Sequence, residues 1–377
     1  MNRIILVGNG FDLAHGLKTS YKDFINHYLK SVFERFREQH YRYSDPLISI
    51  QSKHPYVVSF PRESTSDYNT YLGEFIKDYK SDYKVVISPL LQFTRLNLLS
   101  KNWVDIEMDY FKVLSNAIKN NIVDVKNVLE INEQLKHIKK ELVDFLKIYN
   151  SRIEKIIPDP GLLNIFNERI LWNDISTTFN PEEMRKDSIL TYNDYVARKP
   201  RPIQTMIVNF NYTSTLEHYL DETNDVQGNT TLNYIHGKLD SVENEPIFGF
   251  GDEFDKTYLE FEEYNENCLF EHVKSFRYFL TPNNKDLLRF VSSDLFQVYI
   301  LGHSCGLTDR TMLRSIFENK NCKAIKIFHY KRPDGSNDYH EKTIELGRHF
   351  TDKGYMRRVI VDFDEKNFMP QPCLKTK

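Results

Sequence analysis

Apolar residues follow two rhythms along this chain. Short unbroken runs rich in β-branched residues end at glycine or in a polar cluster: Arg3 to Val7, "TMIVNFNY" (Thr205 to Tyr212), "TLNYIHG" (Thr231 to Gly237), "QVYILGHS" (Gln297 to Ser304), "AIKIFHY" (Ala324 to Tyr330) and "RRVIVDF" (Arg358 to Phe363). Such runs suit strands of a mostly parallel sheet, buried on both faces. Between them apolar residues recur at helical spacing, as in Tyr21, Phe24, Ile25, Tyr28, Leu29 and Phe33, with Thr19 and Ser20 placed to cap that helix. Thr213 to Tyr219 reads as the start of another helix. Strands alternating with helices predict a doubly wound, mostly parallel α/β fold, whose ligands bind at the carboxyl ends of the strands.

From about Ser64 to Ala197 strand signals are sparse and helical spacing dominates, as in Ile131, Leu135, Ile138, Leu142, Phe145, Leu146 and Tyr149. Pro200 and Pro202 punctuate its end. The chain thus reads as an α/β domain, 1–63 and 198–377, carrying a large helical insertion at 64–197.

Composition narrows the class. The 377 residues are 40% hydrophobic and 27% charged, as in an ordinary globular protein. With 50 basic and 53 acidic side chains, net charge −3, no whole-protein field drives the chain onto nucleic acid or anionic lipid. Cys268, Cys305, Cys322 and Cys373 form no C-x-x-C pair, which argues against a zinc ribbon or a disulfide scaffold. No stretch approaches the ~18 apolar residues of a membrane span, and no signal-peptide pattern opens the sequence. The expected location is cytoplasmic.

Four polar clusters fall where strands are predicted to end: Gly8-Asn9-Gly10-Phe11-Asp12, Asn209-Phe210-Asn211-Tyr212, His236-Gly237-Lys238 and Gly302-His303-Ser304. Each alone reads as a turn device, and their convergence is what points to a binding site. Glycine permits close backbone approach, and a following helix offers N–H groups to an anion. The spacing Gly8-x-Gly10 with Gly16 later is not G-x-G-x-x-G, so an ordinary dehydrogenase is disfavoured. Gly302-His303-Ser304-Cys305-Gly306 is formally G-x-S-x-G, and a serine hydrolase would pair Ser304 with Asp338 and His349 and take an oxyanion donor from Gly237. An elbow needs its helix directly after the serine, whereas Thr308-Asp309 reads as the helix cap here.

The blocks "GNGFDLAHGLKTSYKDF", "NFNYTSTLE", "YIHGKLD", "IFGFGDE" and "ILGHSCGLTDR", in that order from Ile4 to Asp309, resemble the bacteriophage abortive-infection AbiH family. "NWVDIE" (Asn102 to Glu107) is similar to a Trp-x-Asp-x-Glu element of that family. The same order resembles, more remotely, the sirtuin-like fold of defence-associated NADases. That resemblance implies catalytic roles for Asn211 and His236. It also implies NAD contacts from Gly8, Asn9, Gly10, Phe11, Asp12, Tyr212 and Gly237, with Gly302 and Ser304 on the adenosine half. Two departures stand out. Thr213 occupies the place of an Asp that follows Asn-Tyr in the resembled proteins, and the zinc module of sirtuin deacylases is missing, which turns the expectation from deacylation to plain NAD cleavage with no metal.

The implied role is a phage-defence effector that hydrolyses NAD to nicotinamide and ADP-ribose, held in check until a phage-derived trigger, a defence partner or homo-oligomer assembly releases it. A nucleotide-binding sensor or assembly module without turnover is the alternative, and Thr213 favours it. Some neighbours read as structural: Asp12 also as a helix cap, His15 as a surface residue, His303 as a framework residue. Trp103, Asp105 and Glu107 read either as a core Trp with solvated acids or as a pocket lid. "FGFGDE" (Phe248 to Glu253) reads as a flap over the ligand or a hairpin turn.

Overall fold

The computed structural model describes residues 1–54, 67–100, 105–119, 122–153, 156–178, 200–220 and 229–372. Its strands are β1 (Asn2–Val7), β2 (Arg42–Ser44), β3 (Ile48–Ser52), β4 (Tyr83–Ile87), β5 (Ile118–Lys119), β6 (Ile122–Val123), β7 (Thr205–Asn209), β8 (Thr230–Tyr234), β9 (Phe296–Leu301) and β10 (Cys322–Phe328). Five of them form one sheet in the order β10-β9-β1-β7-β8, with every pairing parallel. The chain builds outward from β1 through β7 to β8, then returns past β1 to lay down β9 and β10. The direction of building therefore reverses between β1 and β9.

Both faces of this sheet are covered, which is why its strands read as continuous apolar runs. Ile4, Leu6, Val208, Val298 and Ile300 pack on one side against Leu287, Leu313, Ile316 and Phe317. Ile5, Val7, Ile207, Tyr299 and Leu301 pack on the other against Phe11, Leu17, Leu162, Phe166 and Tyr219. The register also aligns the strand ends: Val7 pairs with both Asn209 and Leu301, and Asn209 pairs with Tyr234. Residues just beyond those positions share one rim.

Two helices follow β1. The short α1 (Asn9–Ala14) begins at once, and α2 (Tyr21–Glu38) follows it, with Ser20 accepting from the Asp23 N–H at 3.1 Å as the cap. The buried face of α2, including Phe24, Ile25, Tyr28, Leu29 and Phe33, meets α3 (Tyr68–Asp78), α4 (Pro89–Ser100), α5 (Ile106–Ser115) and the 29-residue α6 (Val125–Ile153) in a further core. The stretch read as helical also holds β4, which joins β2 and β3 in a small antiparallel sheet, and the β5–β6 ribbon.

Three local expectations change. Arg358 to Phe363 is not a strand: Asp352 caps a helix over Lys353–Val359 through the Gly354 and Tyr355 N–H groups, and beyond it Ile360 makes one parallel bridge to Ile325. A capped helix start outweighs a short β-branched run, because the cap satisfies otherwise orphan donors. Thr213 to Tyr219 is mostly turn, with helix at Glu217–Leu220. Phe248 to Glu253 is not a hairpin turn, since Phe250 makes one parallel bridge to Val273, and the segment is buried through Asp252 without lining the cleft described below.

Candidate active site

A cleft of about 370 Å³ opens at the strand ends where the building order reverses. Gly8, Asn9, Gly10, Asp12, Asn211, Tyr212, His236, Gly302 and Ser304 all line it. Phe11 and Gly237 do not. Phe11 is buried against His15, Phe166 and Tyr219 in the core below. Gly237 has φ +84°, donates its N–H to the Tyr234 carbonyl, and has the Glu245 carbonyl oxygen 2.2 Å from where a Cβ would lie, so it serves a turn.

The glycines are needed because two loops meet backbone to backbone. A Cβ on Gly8 would lie 2.6 Å from His303 Cα, and one on Gly10 would lie 2.7 Å from Gly302 Cα. Gly302, at φ +66°, would place a Cβ 2.4 Å from the Phe11 nitrogen. The Gly8 N–H donates to the Leu301 carbonyl at 3.1 Å and the Gly10 N–H to the Gly302 carbonyl at 2.9 Å. Those donors are spent on holding the β1 and β9 ends together. Asn9 adds a clasp to Thr19, donating to its carbonyl at 3.1 Å and accepting from its hydroxyl at 2.5 Å.

Asn211 follows β7. Its own N–H donates to the Asn209 side chain at 3.0 Å, so Asn209 makes the turn bond, and the Asn211 amide donates from Nδ2 to the Gly8 carbonyl at 3.1 Å. The amide is thereby oriented, leaving Oδ1 as its acceptor. Tyr212 donates its hydroxyl to the Ile247 carbonyl at 2.7 Å.

His236 follows β8 and is 5% exposed. Its Nε2 lies 3.0 Å from Asp309 Oδ1 and 3.1 Å from the Tyr278 hydroxyl. Lys274, buried, lies 2.8 Å from the same Asp309 oxygen and 2.7 Å from Glu107 Oε2, while Glu107 Oε1 accepts from the Gly249 N–H at 2.9 Å. Burial opposes the charge on Asp309, but Lys274 and His236 outweigh it and hold this carboxyl below the usual range. Burial likewise opposes the Lys274 ammonium, and Asp309 and Glu107 raise it. Burial lifts Glu107 to about 8 against the pull of Lys274. Burial, then Lys274, lowers His236 despite Asp309, so the ring is neutral at pH 7. An ionised Asp309 beside Nε2 selects the tautomer with its proton there, leaving the lone pair on Nδ1.

Sequence reasoning missed Lys274, Tyr278 and the inward aim of Asp309. Asp309 does precede the helix Arg310–Phe317, but its side chain makes no cap bond. Glu107 is buried rather than solvated, and Asp105 caps α5 through the Met108 N–H at 3.1 Å. Both acids line the cleft, while Trp103 lies outside the described residues. His15 is buried too, 2.6 Å from the Tyr219 hydroxyl and 2.7 Å from the Phe11 carbonyl oxygen, because the covered sheet face encloses it. Nor is Asp12 a cap: it lies inside α1 and accepts from the Thr213 hydroxyl at 2.6 Å. His303 accepts from the Cys305 N–H at 2.9 Å, and burial pushes its pKa down to about 3.

The serine-hydrolase arrangement does not form. His349 Nε2 is engaged at 2.8 Å with the Cys305 carbonyl, Asp338 accepts from the Tyr330 N–H at 2.6 Å, and the Gly237 N–H is spent in its turn. Ser304 sits exposed at the cleft mouth, ahead of a 3₁₀ turn at Leu307–Asp309. Lys22 and Lys342 line the cleft together with the acids Asp12, Asp105, Glu107 and Asp309. Among the described residues no cluster of three or more His, Cys, Asp or Glu is placed to hold a metal ion. No described helix is long and apolar enough to cross a membrane.

Fold and cleft together define an α/β protein with a mostly parallel sheet and a pocket at its strand ends lined by both ionisable and apolar side chains. The profile of the family described as "Bacteriophage abortive infection AbiH" matches residues 4–330, and the chain belongs to that family. Membership points to a role in abortive infection, a defence against phage. No curated protein matches the chain.

Proposed function

We propose that the chain is a cytoplasmic abortive-infection effector that binds NAD in this cleft and hydrolyses it to nicotinamide and ADP-ribose. The observation that carries this reading is a neutral His236, oriented by Asp309, in one cleft with a fixed Asn211. The strand order, with its reversal at β1 and β9, supports reading the sheet as a doubly wound, sirtuin-like nucleotide fold.

Water attacks the anomeric carbon of the nicotinamide ribose. The carbon–nitrogen bond breaks with its electron pair going to the pyridinium nitrogen, so nicotinamide leaves neutral. His236 Nδ1 takes the water proton and releases it to solvent. Asn211 Oδ1 orients the water, and the Asp12 and Asp105 carboxylates favour the cationic ring and the oxocarbenium-like ribose. Lys22 and Lys342 suit the pyrophosphate. Gly8, Asn9, Gly10, Tyr212, Gly302 and Ser304 shape the cleft around the dinucleotide.

Depleting NAD would stop an infected cell, so activity is held off until a phage-derived trigger, a partner or self-assembly releases it. Incubating purified protein with NAD and separating the products tests the reading through Asn211→Ala and His236→Ala. Each should abolish nicotinamide release while leaving the unfolding transition in place. Full turnover in either variant overturns the assignment, and NAD binding without turnover in the activated wild type supports a sensor instead.

A further inference from the structure

The stretch from Lys274 to Leu280, a four-residue helix followed by a three-residue 3₁₀ turn, has two sides. Inward, Lys274 bonds Glu107 and Asp309, and the Tyr278 hydroxyl lies 3.1 Å from His236 Nε2. Outward, Phe276, Phe279 and Leu280 are 51%, 72% and 69% exposed. A lone exposed apolar side chain is ordinary, but three on one short turn make a patch that is costly to leave in water. Phe270 continues the row, its ring 6.0 Å from Phe276 and 5.9 Å from Tyr258. Acids border it. The twenty residues from Asp252 to Glu271 hold eight acids and one lysine, a local charge of −7 in a chain whose total is −3. Glu260, Glu262 and Glu263 are exposed, with no ion pair among the described residues. Arg277, next to Phe276, donates to the Glu271 carbonyl at 3.0 Å and joins the acidic stretch to the patch.

We propose that the surface from Asp252 to Leu280 docks a basic amphipathic segment of a partner protein, and that the docked segment acts on His236 through Tyr278 and Lys274. Exposed aromatic rings supply the anchor, and the acids around them select a partner that carries lysine or arginine beside its own apolar face. Like charge disfavours nucleic acid and anionic lipid here. A second copy of this chain fits no better, because a two-fold contact through the patch would set one acidic stretch against the other. The coupling follows from the backbone: Tyr278 and Lys274 share one short stretch with Phe276, Phe279 and Leu280, so a partner that shifts the patch shifts the contacts to His236 and Asp309. The docking stands on the surface residues alone, whereas its effect on turnover rests on His236 as the working base.

Fluorescence anisotropy of a labelled amphipathic helix built of leucine and lysine, titrated with the full-length chain, tests this. Two variant sets probe the two halves of the surface: Phe279→Ser with Leu280→Ser, and Glu260→Lys with Glu262→Lys and Glu263→Lys. All five positions are exposed, so thermal unfolding should stay where it is in the wild type. Each set should bind the peptide at least about tenfold more weakly than the wild type. Affinity within about threefold of wild type in either set overturns the surface. So does equal binding of oligolysine, which has no apolar face, or of the same helix with glutamate in place of lysine. A wild type that sediments as a dimer, and as a monomer once Phe279→Ser and Leu280→Ser are introduced, gives the patch to a second copy and overturns the proposal. Nitrogen NMR of the His236 ring should shift when the peptide docks, and docking without that shift overturns the coupling. Docking with the shift, in a chain that releases no nicotinamide, keeps this surface and overturns the hydrolase reading.

Discussion

His236 Nε2 lies 3.0 Å from Asp309 Oδ1, and Lys274 Nζ lies 2.8 Å from that same oxygen. The ammonium keeps Asp309 ionised, the ionised carboxylate keeps the proton on Nε2, and Nδ1 is left basic. The acid therefore acts through the imidazole rather than on substrate. Asp309→Asn should lower kcat for NAD by roughly a thousandfold with little change in affinity, the effect of a wrong tautomer. Nitrogen NMR of the His236 ring should show a shifted tautomer balance in the same variant. A kcat within about threefold of wild type contradicts the positioning role.

Lys274 meets two buried acids at once, the ionised Asp309 at 2.8 Å and Glu107 at 2.7 Å, whose pKa of about 8 leaves it largely protonated at pH 7. Lys274→Met leaves the largely buried Asp309 charge without its cation. Stability should fall by about 3–5 kcal/mol in denaturant titration, the usual penalty for breaking a buried ion pair from one side. A single-variant loss under about 1 kcal/mol contradicts a buried network.

The glycine contact makes a prediction of its own. At Gly302 a methyl group meets both a positive φ of +66° and the Phe11 nitrogen at 2.4 Å, whereas at Gly335, φ +87°, nothing lies within 4 Å. Backbone strain alone costs about 1–2 kcal/mol. Gly335→Ala should show no more than that, and Gly302→Ala should exceed it by at least about 1 kcal/mol because the β1 and β9 ends must part. Equal losses in urea titration contradict the loop-to-loop account.

What was legible in the sequence was local. Ser20 and the apolar spacing behind it announce α2, and the β-branched runs announce the central strands, because cap and period are written within a few residues. What was hidden depends on distant partners. Gly8 and Gly10 draw attention as glycines, but the reason for them, Gly302 and His303, lies on β9's far end. Lys274 sits in a four-residue helix with no periodic signal, and its meaning comes from Glu107 and Asp309. Thr213, which departs from the resembled pattern by lacking a carboxylate, is met by the Asp12 carboxylate from another element. β4 escaped notice because five alternating residues resemble a helix end as much as an edge strand.

Acid should reveal His303. Burial holds its folded pKa at about 3, down from 6.5, so as pH falls below 6.5 the unfolded chain takes up a proton that the folded one refuses. Stability is then lost on acidification, by about 2 kcal/mol between roughly pH 6.5 and 5 from this ring alone. Comparing wild type with His303→Gln in urea at several pH values isolates the contribution, since the other titrating groups are shared. The gap between the two should narrow or reverse as pH falls, and a pH-independent gap contradicts a buried neutral His303.

The central claim is that this cleft breaks the nicotinamide–ribose bond. The direct measurement is nicotinamide and ADP-ribose formed from NAD by the purified full-length chain, with and without lysate of phage-infected cells, against His236→Ala under the same conditions. The account predicts equal amounts of the two products from the wild type, in at least the lysate-treated sample, and none above background from His236→Ala. NAD left intact by the wild type in both conditions, or consumed equally by His236→Ala, would contradict it.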